Sequence, residues 1–177
     1  MRSFESVDLA FAQIVESARR ASAELSRAGI PHRVVGGVAG GVAVFLHVDA
    51  VELIAACLTP DVDIAVQNDN LAAASKVLEA LKYVYDGSSF RDPLNPRIWH
   101  AVHLIDEPVP ASEPVRTKEG ILIAPAADLV HMKLTSFRLK DKVHIQDLDG
   151  VGLITPEIEA GLSEPLRQRL AEVRATE

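Results

Sequence analysis

Residues 59–66 read TPDVDIAV. Thr59-Pro60 is a turn-forming pair, and the run after it is β-branched and apolar except for two aspartates one residue apart. Asp is depleted in strands, so two of them at a strand entry need a reason. Side chains alternate faces along a strand, which puts Asp61 and Asp63 on one face and Val62, Ile64 and Val66 on the other. Two carboxylates held side by side repel, and both stay ionised when a cation sits between them. Magnesium suits such a place, being a hard cation often held by one or two carboxylates plus substrate phosphates. The plainer alternative is a solvated strand entry in which Asp caps the turn after Pro60. On this pair alone both readings stand.

Upstream, residues 34–41 read VVGGVAGG. A strand that ends in Gly36-Gly37 and leads into a helix lets the backbone approach a phosphate, and the free N–H groups at the helix start supply an anion site. Gly-Gly also marks ordinary tight turns. The run is not a P-loop, since Val42 and Ala43 stand where Lys and Ser/Thr belong, and its glycines do not fall as G-x-G-x-x-G.

The rest of the chain alternates helical and strand patterns. Phe4 to Arg27 predicts a helix with Leu9, Ile14, Ala18, Ala21 and Leu25 as its apolar stripe, stopped at Ala28-Gly29. Arg33–Val35 predicts a strand, and Val38 to about Leu46 a helix weakened by Gly40 and Gly41. Residues 47–58 are apolar and fit an extension of that helix or a second one. Asp61–Val66 predicts a strand, Leu71–Leu81 a helix with Asn68-Asp69-Asn70 as its turn or cap, and Tyr83–Tyr85 a short strand. Asp86 to Arg97 reads as a polar loop and Trp99–Ile105 as a strand. Arg116 to Ile123 reads as a hairpin or bulged turn at Lys118-Glu119-Gly120. Pro125 opens a helix to about Arg138; Lys142–Leu148 and Ser163–Val173 predict two more. The order predicts an α/β (α+β) fold: a mixed sheet flanked by helices, with a C-terminal helical region. Residues 1–124 form the core and 125–177 the helical region packed on it, within a single compact domain.

Together these residues resemble the nucleotidyltransferase fold of the DNA polymerase beta relatives. The shared signature is a strand ending in Gly-Gly, here Gly36-Gly37, then a helix, then Thr-x-Asp-hydrophobic-Asp-hydrophobic, here Thr59 to Ile64. Residues 123–148, IAPAADLVHMKLTSFRLKDKVHIQDL, are similar to the tail of the AbiEii and minimal-nucleotidyltransferase group, through Asp128, Leu129, Lys133, Leu134, Lys140, Asp141, His144, Ile145 and Leu148. The resemblance implies transfer of a nucleotide from a nucleoside triphosphate, with Mg2+ (or Mn2+), to an acceptor hydroxyl on a protein, an RNA or a small molecule. It also implies a place in a toxin–antitoxin or phage-defence pair. Asp61 and Asp63 are then the metal ligands and catalytic carboxylates, Gly36 and Gly37 hold the triphosphate, and Lys133 reaches a phosphate. Lys133 also fits a solvated helix lysine. The pattern departs at its third acid, expected on a later strand: that position holds His103, and Asp106, three residues on, falls on the opposite strand face unless a bulge intervenes. The alternative implied is a decayed transferase that binds a nucleotide or a partner.

Composition narrows the rest. The 177 residues are 48% hydrophobic, enough for a real core, and their net charge of −7 argues against a strong nucleic-acid surface. Aromatic content of 5% is too low for a base-stacking platform. The lone cysteine, Cys57, allows no internal disulfide and fits a reducing cytoplasm. It reads as a buried small hydrophobe. No apolar run reaches the roughly 20 residues of a membrane helix, and the first residues show no signal-peptide pattern. His100 and His103 would share a face only in a helix, and without further Cys or an HExxH they make no zinc site.

Overall fold

The computed structural model describes residues 4–36, 61–92, 94, 101–107 and 112–176. Gly37, the helix expected over 38–46, residues 47–58 with Cys57, and Trp99-His100 lie outside them. Helix α1 (Phe4–Arg27) leads into β1 (His32–Gly36). Then come β2 (Asp61–Val66), α2 (Asn68–Ala80), β3 (Val84–Tyr85), β4 (Phe90–Arg91) and β5 (Ala101–Asp106). A hairpin, β6 (Val115–Arg116) and β7 (Leu122–Ile123), precedes α3 (Ala126–Ser136), α4 (Leu139–Gly150), α5 (Pro156–Gly161) and α6 (Glu164–Arg174).

The strands form one mixed sheet in the order β3-β4-β5-β2-β1-β7-β6. The aspartate strand β2 is central: it runs antiparallel to β1 and parallel to β5. Alternation along it divides the fold. Val62, Ile64 and Val66 are buried with Val34 and Val102 against Ile14, Ala18, Ala21 and Leu25 of α1 and Ala74 and Leu78 of α2. The spacing of 14, 18, 21 and 25 is the i, i+4, i+7 stripe of a helix laid on a sheet. On the other face Val35 and Ala65 are buried with Ala124 and Leu129, and Met132 packs against them, so α3 covers that side. The opposite flank of α3, Val130 and Leu134, joins Ile145, Leu148, Leu166, Leu170 and Val173 in a third cluster that seats α4 and α6. No helix among the described residues is long and apolar enough to cross a membrane.

Several elements differ from the sequence reading, among them α4, which starts at Leu139 rather than Lys142. Helix α2 begins at Asn68 rather than Leu71, because Gln67, extended at φ −68°, is the N-cap and Asn68 to Asn70 form the first turn. The loop expected over 86–97 contains β4, which pairs with β5 through Phe90 opposite Val102. Helix α3 stops at Ser136 because Phe137 turns left-handed, with φ +49°, its N–H donating to the Lys133 carbonyl. Helix α5 was not anticipated, although Thr155-Pro156-Glu157 carries a start signal: the Thr155 hydroxyl accepts from the Ile158 N–H, and Pro156 stands in the first turn.

Buried polar groups on β1 are paired. The His32 imidazole contacts the Ile30 carbonyl through Nδ1 at 2.8 Å and Ser22 Oγ through Nε2 at 2.8 Å, while Ser22 Oγ accepts from the Leu122 N–H. Burial pushes this imidazole below its ordinary 6.5. The unfolded chain therefore takes up the proton first on acidification, so the stability tied to the neutral ring is complete above that ordinary value and is lost as pH falls below it. We expect the melting temperature to fall between about pH 7.5 and 5.5, and His32→Gln to flatten that fall while lowering the melting temperature at the upper pH.

Candidate active site

The site grows from the far face of β2. Asp63 is half-buried and Asp61 lies two positions earlier on the same strand, at a same-face register position; the Asp61 side chain lies outside the described residues. β1 passes on one side, with Gly36 opposite Asp63 after a register shift between Val34 and Gly36. Gly36 itself adds no side chain beside the carboxylate. On the other side β5 runs in unbroken parallel register: Asp61 faces Ala101, Asp63 faces His103, and Val66 faces Asp106. His103 therefore stands directly beside Asp63 on the same face. With no bulge, Asp106 lies three positions away along β5, an exposed residue at the strand end.

Above this face a pocket of about 600 Å³ opens between the sheet and the α3–α4 pair. Its floor is Val35, Ala65 and Ile105, and Asp63 stands on its wall. Lys133, Arg138, Lys140 and His144 reach it from the helices. Lys133 is buried, not solvated as a surface helix lysine would be. The left-handed residue Phe137 reverses the chain so that α3 and α4 form a hairpin, and this turn brings Lys133 against Asp141. The Lys133 Nζ lies 3.4 Å from Asp141 Oδ1. Asp141 also accepts from Ser136 Oγ at 2.8 Å, the Arg138 N–H at 3.1 Å and Arg138 Nε at 2.8 Å. Burial opposes its charge, but the bonds from Arg138 and Ser136 win and hold its carboxyl well below the usual carboxylate range.

Burial pushes the Lys133 ammonium down, and Asp141 offsets part of the effect. The His144 imidazole is pushed down too, by burial first and then by Lys133, and its Nδ1 has no hydrogen-bond partner. Arg138 is raised mainly by Asp141 and more weakly by Asp63, so the positive edge of the pocket senses the aspartate strand. The arrangement is an acid wall facing a cationic wall across an apolar floor.

Of the sequence candidates, the structure brings Asp63 and Lys133 to one pocket, places Gly36 opposite Asp63 in the ladder, and puts Asp61 at the same-face position two residues before Asp63. Gly37 lies outside the described residues. Among the described residues no three His, Cys, Asp or Glu side chains form a metal-binding group. Sequence reasoning missed the pairing of buried Arg33 with half-buried Glu107 and Asp128, which fixes α3 over the sheet. Arg33 donates to Glu107 through Nε at 2.8 Å and Nη2 at 2.5 Å, and through Nη1 to Asp128, which also accepts from Ser112 Oγ at 3.0 Å. The only available signal was Arg33 itself, a cation inside an apolar strand.

No family model matches the chain, and no curated protein sequence does. Solved structures match in fold. The antibiotic-resistance factor ANT(2'')-Ia aligns with TM-score 0.58 and 10% identity over 93% of both chains. An antigenic nucleotidyltransferase-like protein from Paracoccidioides brasiliensis aligns with TM-score 0.60 and 15% identity, over 92% of this chain and 88% of that one. The chain has a nucleotidyltransferase-like fold: a mixed α/β sheet flanked by helices.

Removing one partner of a buried pair costs more than removing the other when their remaining bonds differ. Asp141→Ala leaves a buried ammonium and strips the start of α4, and should cost on the order of 3–5 kcal/mol in urea unfolding. Lys133→Met leaves Asp141 with Arg138 and Ser136 and should cost markedly less.

Proposed function

We propose that the chain transfers a nucleotide from a nucleoside triphosphate to an acceptor hydroxyl. The observation that carries this reading is Asp63 on the wall of a pocket whose opposite wall is the buried Lys133, with a glycine-ended strand beside the carboxylate. A polyphosphate laid across the pocket meets Lys133 and Arg138 with its outer phosphates and brings its first phosphorus to the aspartate strand. Both cations are positioned before any ligand arrives: Lys133 by Asp141, Arg138 by its bonds to the same carboxylate. Positioning and fixed charge supply most of the catalysis in phosphoryl chemistry. The apolar floor of Val35, Ala65 and Ile105 lowers the local dielectric and strengthens both.

Asp61 and Asp63 are the residues that would hold Mg2+ or Mn2+, and two carboxylates on one strand face are a donor set that such ions accept. When bound, the ion supplies charge neutralisation at the phosphate oxygens. In the transfer the acceptor oxygen forms a bond to the α-phosphorus while the bond to pyrophosphate breaks. The acceptor class, protein, RNA or small molecule, and a setting in a toxin–antitoxin or phage-defence pair follow from the motif resemblance to the AbiEii and minimal-nucleotidyltransferase group. A cytoplasmic location follows from the lone cysteine. His103 beside Asp63 favours a second reading, a nucleotide-binding module without transfer.

Radiolabelled triphosphates of all four bases, offered with Mg2+ or Mn2+ and with protein, RNA and small-molecule acceptors, test the proposal. Label should move in the wild type and not in Asp61→Ala or Asp63→Ala, whose melting curves should stay close to wild type. Lys133→Met should raise KM for the triphosphate roughly tenfold or more, the scale of a lost charge-assisted phosphate contact. A wild type that transfers nothing but binds triphosphate through Lys133 establishes the binding module instead.

A further inference from the structure

We propose that the cation held by the aspartate strand takes a third ligand from the neighbouring strand, the imidazole of His103, so that the site prefers Mn2+ over Mg2+. This rests on the metal-binding reading above and deepens it. The argument is one of register. β2 and β5 are parallel, and Asp61–Ala101, Val62–Val102 and Asp63–His103 are consecutive partners without interruption. Parallel neighbours stand about 4.8 Å apart, and same-face residues on one strand roughly 6.6 Å apart. Asp61, Asp63 and His103 thus occupy three corners of one small patch on one face of the sheet. The fourth corner is Ala101, whose methyl brings no donor. The flank across Asp63 is Gly36, which has no side chain. Among the described positions bordering Asp63 on the two adjacent strands, His103 is the one whose side chain carries a nitrogen or oxygen donor.

The chemistry of that donor set is mixed. Two carboxylates suit Mg2+ and Mn2+ alike, but a neutral imidazole nitrogen favours first-row transition ions. Mg2+ demands near-ideal octahedral oxygen surroundings and gives up water reluctantly. Mn2+ accepts the same oxygen-rich geometry and tolerates the nitrogen. Charge points the same way. Two carboxylates and an imidazole carry one negative charge fewer than three carboxylates, which weakens the purely electrostatic hold on Mg2+ while leaving the nitrogen contribution to Mn2+. A second feature points to an anionic ligand alongside: the adjoining pocket holds Lys133 and His144, both buried, with His144 Nδ1 unpartnered among the described residues. A cation on the patch and a polyphosphate in the pocket complete each other's charge.

The test uses the full chain with Mn2+ alone, then Mn2+ with inorganic tripolyphosphate, which needs no knowledge of the base. Electron spin-echo modulation should show nitrogen coupling of an imidazole bound to Mn2+ in the wild type. The coupling should vanish in His103→Ala and in His103→Gln, the second variant guarding against a folding failure of the first, with melting curves as the control. By calorimetry Mn2+ should bind roughly tenfold or more tighter than Mg2+, and His103→Asp should shrink that ratio severalfold by tightening Mg2+. Mn2+ bound without nitrogen coupling, coupling that survives in both His103 variants, or an unchanged metal ratio in His103→Asp overturns the inference and leaves the transferase reading in place. A wild type that binds no Mn2+ even with tripolyphosphate removes the metal from both.

Discussion

The placement of the pocket depends on one buried cation. Arg33 sits inside β1 with its side chain only 6% exposed, among valines that would be better served by another apolar residue. An isolated guanidinium there would be costly, since a buried charge is tolerated only when paired and hydrogen-bonded. Arg33 solves this with two carboxylates from two different places: Glu107, just past the end of β5, and Asp128 in the first turn of α3. Its planar fork suits bidentate pairing with Glu107 while a remaining nitrogen reaches Asp128. The trio therefore ties the central sheet, the end of the histidine strand and the helix of Lys133 into one rigid unit. Such a pair adds little net stability over a hydrophobic replacement. What it adds is register: α3 has one azimuth in which Asp128 meets Arg33, and in that azimuth Leu129 faces the sheet, Val130 and Leu134 face the C-terminal helices, and Lys133 faces the pocket.

The second constraint is the turn at Phe137. A non-glycine residue with φ +49° is unfavourable by itself, and the chain compensates locally. The ring is covered by the Lys142 ammonium at 4.3 Å and the Arg169 guanidinium at 5.0 Å from its centroid, and Arg169 Nη1 also donates to the Leu134 and Thr135 carbonyls at the end of α3. Helix α6 thereby holds the turn, the turn fixes Asp141 under Lys133, and Asp141 directs the ammonium. The C-terminal helices thus act on the pocket through a chain of contacts while contributing only Arg138, Lys140 and His144 to its wall.

What could be read in the sequence follows the physics of short-range pattern. Helix α1 was legible to both ends because its stripe is long and Gly29 closes it. β2 was legible because a Pro-bounded β-branched run leaves little choice. The hairpin of β6 and β7 was legible at Gly120, where φ is +82°. β4 was not, because a two-residue strand has no period to detect and exists only through pairing with β3 and β5. The end of α3 was misplaced by two residues because nothing in Ser136-Phe137-Arg138 marks a left-handed residue; its support comes from Arg169, distant in sequence. The side-by-side placement of Asp63 and His103 was legible only as a question, since alternation within a strand gives a face but not the partner across the ladder. Lys133 could be read as solvated or as part of a site, and only packing decides that it is buried.

The same register explains why a histidine is tolerable where a third carboxylate is the expectation. Three carboxylates on adjacent corners of a sheet face strain the apo protein, since each new negative charge disfavours ionisation of the others. Lys133 is engaged by Asp141, Arg33 by Glu107 and Asp128, and Arg138 by Asp141 with a weaker pull from Asp63. A histidine at position 103 brings a nitrogen donor to the face without the negative charge of a third carboxylate. Among the described residues, Lys133, Arg33 and Arg138 are each committed to a carboxylate of the scaffold, so the cations around the pocket take their positions from the packing of α3 and α4 on the sheet and need no ligand to order them.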